Sequence, residues 1–160
     1  MKRILLACLS IFLLTGAIPE SATPDGFQHW TATSLREMSG VLDAKAKADP
    51  NHSAVQQLGD FPGELFLLAH RKADGQAEWH ETQADVFVVE AGSATLVVGG
   101  TLQNERTTAP HERRGSGIEG GRRVKLGTGD VVRIPARTAH QLLLDGSDTF
   151  SYFVVKVKGY

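Results

Sequence analysis

Short apolar runs separated by turn residues occupy most of the chain from residue 63 onward, and this pattern restricts the fold more than any other feature. The runs are rich in residues that favour strands. Gly and Asp-Gly turns separate them at short intervals, as in an all-β sandwich or barrel. The runs are 64–70, 77–80, 85–90, 94–98, 131–134, 141–144 and 150–157. We therefore expect one all-β domain over residues 63–160.

Segment 103–123 interrupts this pattern, because it is rich in Gly and Arg and has no sustained apolar alternation. We expect a long loop there, and such a loop in a compact domain is usually functional or mobile. Its basic side chains would suit a carboxylate or another anionic small molecule near a barrel mouth. They are Arg106, Arg113, Arg114, Arg122 and Arg123.

Residues 1–17 have the pattern of a secretory signal peptide. Lys2 and Arg3 precede an apolar stretch over residues 4–17, which is shorter than the roughly 20 residues of a membrane-spanning helix. Small residues place the cleavage site near Ala17. We therefore expect a periplasmic or secreted protein that has no membrane attachment after cleavage. A retained anchoring segment is the alternative.

Residues 18–62 are expected to form a flexible linker followed by one short helix. Ser34 and Glu37 have the spacing of a capping box, in which each side chain satisfies a backbone donor. Pro50 ends the helix near Ala48. The apolar positions on one face of this helix are Leu35, Met38, Val41 and Leu42.

Charge and cysteine content exclude several classes of protein. The 160 residues include 17 Lys and Arg against 18 Asp and Glu, a net charge of -1. Loss of Lys2 and Arg3 with the signal peptide would leave 15 against 18, a net charge of -3. A nucleic-acid-binding domain normally carries a basic stripe, so we expect no nucleic-acid partner. The single Cys excludes a disulfide framework and a Cys-rich zinc module.

Four residues suggest a metal site. Glu78 and His80 stand at positions i and i+2, so in a strand their side chains share a face. Asp85 begins the next apolar run, and His140 precedes a run far along the chain. Two His and two carboxylates match the ligands of a first-row divalent metal.

Residues 75–92 resemble the first conserved motif of the cupins, in which a Gly precedes a His-x-His pair, a Glu and a second Gly. His80 aligns with the second His and Asp85 with the Glu, whereas Glu78 stands in place of the first His. An alternative alignment puts His80 on the first His and Thr82 on the second, but it leaves Asp85 too close.

The pattern Gly129-x5-Pro135-x-Arg137-x2-His140 resembles the second cupin motif, Gly-x5-Pro-x-Gly-x2-His. Arg137 stands where the motif has its second Gly. The resemblance extends over residues 63–157. It implies a double-stranded β-helix, or jelly-roll barrel, beside the short N-terminal α-helix.

The resemblance implies a metal held by Glu78, His80, Asp85 and His140, where a typical cupin offers three His and one Glu. The additional carboxylate favours Mn, Fe or Zn over Cu. The alternative is a degenerate site, in which Glu78 and Asp85 pair with Arg137 or hydrogen-bond to turns.

The function that follows is an exported cupin-like protein that binds a divalent metal in its barrel and acts on or binds a small oxygenated or anionic molecule. Whether it is an enzyme stays open, because cupins include both enzymes and non-catalytic binders. The alternative is a non-catalytic small-ligand-binding protein with a degenerate metal site. A homodimer is also expected, because an exposed barrel edge can pair with a second copy.

Overall fold

Strands make up more than half of the computed structural model, which describes residues 22–160. The expected signal peptide, residues 1–17, lies outside this range. The helix of the described chain, α1, spans Ala32–Ala48, and no helix there has the length and apolar character needed to cross a membrane. The strands are β1 Ser53–Phe61, β2 Glu64–Arg71, β3 Ala77–His80, β4 Gln83–Val98, β5 Thr101–Gln103, β6 Arg106–Ala109, β7 Glu112–Gly115, β8 Gly117–Glu119, β9 Arg122–Gly127, β10 Val131–Ile134, β11 His140–Leu143 and β12 Phe150–Lys158.

Antiparallel pairing joins ten of these strands into one curled sheet. The main order is β1-β2-β12-β4-β11-β3-β7-β6, with β9 and β10 paired to β4 and with β5 and β8 in a small second sheet. The curl encloses an apolar interior. The predicted jelly-roll barrel is therefore confirmed. Its most buried large side chains include Phe87, Leu96, Ile134, Leu142, Phe150, Tyr152 and Val154.

Strand β4 bends at Gly92 and so belongs to both halves of the barrel. Before the bend it pairs with β10 and β12, and after it with β9 and β11. Gly92 has a φ of +83°, and a Cβ there would collide with the carbonyl oxygen of Thr149. The sequence predicted two strands separated by a turn over residues 91–93. One bent strand replaces them, because Gly adopts this conformation without ending the pairing.

Helix α1 packs on the outside of β1 and β2. Thr31 is its N-cap, since the Thr31 hydroxyl accepts a hydrogen bond from the Ser34 amide at 3.0 Å. The helix therefore begins earlier than the predicted capping box at Ser34 implied. Buried Leu35 and Leu42 pack with Leu68 of β2, and Met38 packs against them, so most of the predicted apolar face attaches the helix to the sheet, whereas Val41 is exposed.

Two segments form strands where the sequence predicted none. Strand β1 falls in the expected linker and helix segment, yet it pairs with β2 from end to end. Segment 103–123, predicted as a loop, contains β6, β7 and β8. Strand β6 is exposed and β1 is partly exposed, whereas β7 carries charged, half-buried side chains, so none of these strands shows an apolar alternation. The loop prediction was wrong for this reason, and β7 pairs directly with β3, which carries Glu78 and His80.

Candidate metal centre

The four predicted ligands converge inside the barrel. Glu78 and His80 lie on β3, Asp85 lies on β4, and His140 is the first residue of β11. Strand pairing places His140 opposite Glu78. Asp85 Oδ2 lies 3.3 Å from His80 Nε2 and 3.4 Å from His140 Nε2. The barrel thus brings together residues that are 62 positions apart in the chain.

Three of these residues form the tightest set of donors. One ligand atom each from Glu78, His80 and His140 lies within 4.8 Å of the other two. His80 Nε2 is 3.5 Å from Glu78 Oε2, and the imidazole centroids are 5.2 Å apart. Two imidazoles and one carboxylate are the donor set of a facial metal site with open positions. Asp85 contacts both imidazoles but lies outside this set of three.

Hydrogen bonds orient both imidazoles for metal binding. His80 donates from Nδ1 to Glu112 Oε2 at 2.6 Å, and His140 donates from Nδ1 to the Thr138 carbonyl at 3.1 Å. Such contacts direct Nε2 toward a metal. Both rings are only 3% exposed, and His140 Nε2 has no hydrogen-bond partner among the described residues. A buried nitrogen without a partner is costly, so the site fits a metal ion at this position.

Nearby charges shift the pKa values of the cluster. Burial alone would lower the pKa of His80, but hydrogen bonds with Asp85 and Glu78 outweigh burial and raise it to about 9. Burial would raise the pKa of Glu78, yet its hydrogen bond with His80 and nearby cations lower it to about 2. Despite burial, the close imidazoles of His140 and His80 and the Lys156 ammonium hold the pKa of Asp85 well below its usual range. These shifts keep both carboxylates ionised at neutral pH.

Lys156, which the sequence analysis did not single out, pairs with Asp85. Its ammonium lies 2.8 and 3.1 Å from the two Asp85 oxygens and 3.1 Å from His80 Nε2. Lys156 and Asp85 are opposite one another on β12 and β4, so their side chains share a face. A signal was present in the sequence, because Lys156 follows Phe150, Tyr152 and Val154 on the alternate positions of β12, and those three residues are apolar and buried.

Two arginines flank Glu78. Nη2 of Arg71 and Nη2 of Arg114 each lie 3.5 Å from a Glu78 oxygen. Arg71 also donates from Nε to the Tyr152 hydroxyl at 3.1 Å, and Arg114 donates to Glu112 at 3.0 Å. Arg114 comes from the basic segment that the sequence analysis noted. No spacing pattern pointed to Arg71 or Glu112, because strand pairing alone brings them here.

A cavity of about 200 Å³ opens beside these side chains. Its size suits a small molecule rather than an extended one. One wall is apolar and includes Leu67, Phe87, Leu142 and Val154. The other wall is charged and includes Arg71, Glu78, Asp85, Arg114, His140 and Lys156.

Comparison with known proteins identifies the fold. No family model matches the chain, and no curated protein matches it. Among solved structures, TT1209 from Thermus thermophilus aligns with a TM-score of 0.51 and 15% identity, over 69% of this chain and 87% of that one. A Klebsiella pneumoniae protein with a double-stranded β-helix domain aligns with a TM-score of 0.50 and 15% identity, over 67% of this chain and 77% of that one. The cupin domain of Schizosaccharomyces pombe Cnp3 aligns with a TM-score of 0.50 and 9% identity, over 66% of this chain and 64% of that one.

The chain has the cupin fold. The predicted resemblance is thereby confirmed at the level of the fold.

The cupin barrel also explains where Arg137 lies. Its φ of +61° is left-handed, and its amide donates to the His80 carbonyl at 2.7 Å. The cupin motif has Gly at this position, which adopts such a conformation without strain. Arg137 was a predicted partner for the site carboxylates. Within residues 22–160, the Lys and Arg side chains that pair with Glu78 and Asp85 are instead those of Arg71, Arg114 and Lys156.

Proposed function

We propose that this chain is an exported cupin that binds a divalent metal ion and takes a small oxygenated, anionic molecule beside it. Glu78, His80 and His140 would hold the ion. The observation that carries the proposal is the buried, partnerless Nε2 of His140, which among the described residues lies beside donors from His80 and Glu78. Asp85 is the fourth candidate ligand, and its carboxylate already accepts hydrogen bonds from Lys156.

The donor set supports Mn, Fe or Zn, because imidazole and carboxylate suit all three. When bound, such an ion supplies a Lewis acid that polarises an oxygen of the ligand. Glu112 and the Thr138 carbonyl accept the Nδ1 protons of the two imidazoles and so hold both rings in orientation. The apolar wall at Phe87 and Leu142 excludes water from one side of the ligand.

The charge of the cavity supports an anionic ligand. Arg71, Arg114 and Lys156 line it together with Glu78 and Asp85, so cations exceed carboxylates even before a metal adds charge. A guanidinium recognises a carboxylate through paired N–H groups, and Arg71 keeps N–H groups beyond those that it directs to Tyr152 and Glu78. A small carboxylic acid fits both the charge and the volume of the cavity.

Elemental analysis of the purified chain tests the metal site. After incubation with Mn, Fe or Zn and desalting, wild type should retain about one equivalent per chain, and His140→Ala should lose it. His111→Ala removes an exposed imidazole that pairs with Glu81, so it is the matched control and should retain the metal. Wild-type protein that holds less than about a tenth of an equivalent would contradict the proposal.

A non-catalytic ligand-binding protein without a metal is the second candidate, and Lys156 favours it. The ammonium already neutralises Asp85 and approaches His80, which are roles a metal would have. Small carboxylates should then raise the melting temperature in the presence of EDTA, and Arg71→Gln should remove this effect. Stabilisation that appears only when metal is added would favour the first candidate.

Export is part of the proposal, and Lys2, Arg3 and the apolar stretch over residues 4–17 support it. Mass spectrometry of protein recovered from the periplasm or the medium should give a chain that starts near residue 18. Full-length protein retained in the cytoplasm would contradict export.

A homodimer is also proposed, and the edge position of β1 in the sheet supports it. Light scattering during size-exclusion chromatography should give the mass of two chains. A mass of one chain across the accessible concentrations would contradict it.

A further inference from the structure

Lys156 lies beside two of the four candidate metal ligands, because its ammonium contacts Asp85 and His80. It is the direct cross-strand partner of Asp85, and its side chain is 16% exposed. Lysine is rarely buried unless its charge is paired. Strand register therefore holds the ammonium and the Asp85 carboxylate together on the interior face.

The ammonium also occupies the space that Asp85 and His80 would share with a metal. It contacts both oxygens of Asp85 and lies 3.1 Å from the His80 Nε2 that would bind the ion. Nitrogen and oxygen ligands bind such metals at about 2.0–2.2 Å, so an ion held by both residues would press against Nζ. Two cations in one small buried space repel each other strongly.

We propose that Lys156 is an internal competitor of the divalent ion, which keeps Asp85 out of the ligand set and weakens metal binding. The inference rests on the proposed metal site of Glu78, His80 and His140. It assigns Asp85 to the lysine in the wild-type chain, which leaves a three-ligand site with open positions. Removal of the ammonium should free Asp85 to become the fourth ligand.

Isothermal titration calorimetry with Zn(II) tests this competition in protein that spans residues 18–160, which lacks the expected signal peptide. Lys156→Met removes the charge and keeps the length of the side chain, and it should lower the Kd roughly tenfold or more. Lys156→Met with Asp85→Asn should lose this gain, because Asn is a poorer metal ligand than a carboxylate. Lys158→Met is the matched control, since Lys158 lies on the same strand but pairs with Asp60 at the surface, and its Kd should equal that of wild type.

Cobalt(II) absorption gives a second measurement. An added ligand changes the intensity and position of the visible bands, so Lys156→Met should differ from wild type and from the double variant. Circular dichroism confirms that each variant is folded. If Lys156→Met does not fold, Lys156→Gln serves instead, because its amide removes the charge but still donates to Asp85, and the Kd should fall in the same direction.

The outcomes separate this inference from the proposed function. Equal Kd values for wild type and Lys156→Met would overturn the competition while leaving the metal site intact. If the higher Zn(II) affinity of Lys156→Met persists in the double variant, the role of Asp85 is overturned. Binding in Lys156→Met alone would support the competition and contradict a resident metal in wild type. Binding in neither chain would overturn both.

Discussion

Two buried histidine clusters in this molecule have similar residues and different surroundings. The barrel cluster faces the cavity, whereas the helix cluster lies between α1 and the sheet. Both contain an imidazole Nε2 that is buried and lacks a hydrogen-bond partner among the described residues. The barrel cluster consists of Glu78, His80, Asp85 and His140, and the helix cluster consists of Asp43, His70 and Ser151.

The helix cluster has its carboxylate neutralised by lysines. His70 Nδ1 lies 2.7 Å from Ser151 Oγ, and its Nε2 lies 3.3 Å from Asp43 Oδ1. Asp43 also pairs with Lys47 at 2.7 Å and with Lys72 at 2.8 Å. Burial therefore outweighs Asp43 and lowers the pKa of His70, the opposite of the shift at His80.

The difference shows what a histidine cluster needs before it suggests chemistry. The helix cluster has the residue types of a Ser-His-Asp triad, but Ser151 is 3% exposed and does not line the cavity. His80 instead lies within reach of three carboxylates, and two of them, Glu78 and Asp85, line the cavity. Open space and carboxylates that converge on one point, rather than burial alone, distinguish the barrel cluster.

The largest expected effect is on the pH dependence of metal binding. The ion must displace a proton from His80, whose pKa is about 9, so metal affinity should rise about tenfold per pH unit below that value. A histidine with a lowered pKa, as in the helix cluster, would give no such rise above neutral pH. Titration with Zn(II) at several values between about pH 6 and pH 8 measures the slope. A flat profile would remove the contrast between the clusters.

Alanine substitutions should separate structure from binding. His70→Ala leaves Ser151 without its buried partner and should lower the free energy of unfolding by about 1–3 kcal/mol, with metal content unchanged. His140→Ala should lose the metal and be the less destabilising of the two in EDTA. Urea unfolding and elemental analysis of both variants measure the two effects. Loss of metal in His70→Ala, at a temperature where it is folded, would break the comparison.

The two histidines should also give opposite pH dependences of stability in EDTA. His80 has a raised pKa, so its contribution to the free energy of unfolding is complete below about pH 6.5 and is lost as the pH rises through about 9. His70 has a lowered pKa, so its contribution is present above about pH 6.5 and is lost as the pH falls below it.

In a plot of the free energy of unfolding against pH, His80 produces the alkaline limb and His70 the acidic limb. Each limb should be no steeper than about 1.4 kcal/mol per pH unit. In urea unfolding across the pH range, His80→Gln should flatten the alkaline limb and His70→Gln the acidic one. If either variant changes the other limb, the assignment of that limb is wrong.

The smallest expected effect is at Asp43. Hydrogen bonds with Lys47 and Lys72 hold the pKa of this carboxyl well below its usual range, but the group is accessible to solvent. Asp43→Asn should lower the melting temperature less than His70→Ala does, and high salt should reduce the difference because surface ion pairs are screened. Glu37→Gln, an exposed change on the same helix, is the control for calorimetry.

Local spacing predicted the parts of both regions that depend on neighbouring residues. Strand alternation placed Glu78 and His80 on one face, and the Gly-Pro-His spacing placed His140 at the start of β11. Alternation failed for β1, which is partly exposed, and for β7, whose half-buried side chains are charged. Glu112, on β7, was missed together with its strand.

By itself, the sequence determined an all-β domain, the outer helix and a set of four residues with the chemistry of metal ligands, and its resemblance to the cupin motifs implied the jelly-roll barrel. Those features follow from turn residues, the apolar periodicity of strands and helices, and short motif spacings, which are all local. The tertiary structure decided which charges surround the ligands. Lys156 is 71 residues from Asp85, and Glu112 is 32 residues from His80. Only strand register brings such pairs within contact distance, and electrostatic interactions depend on that distance rather than on separation in the chain.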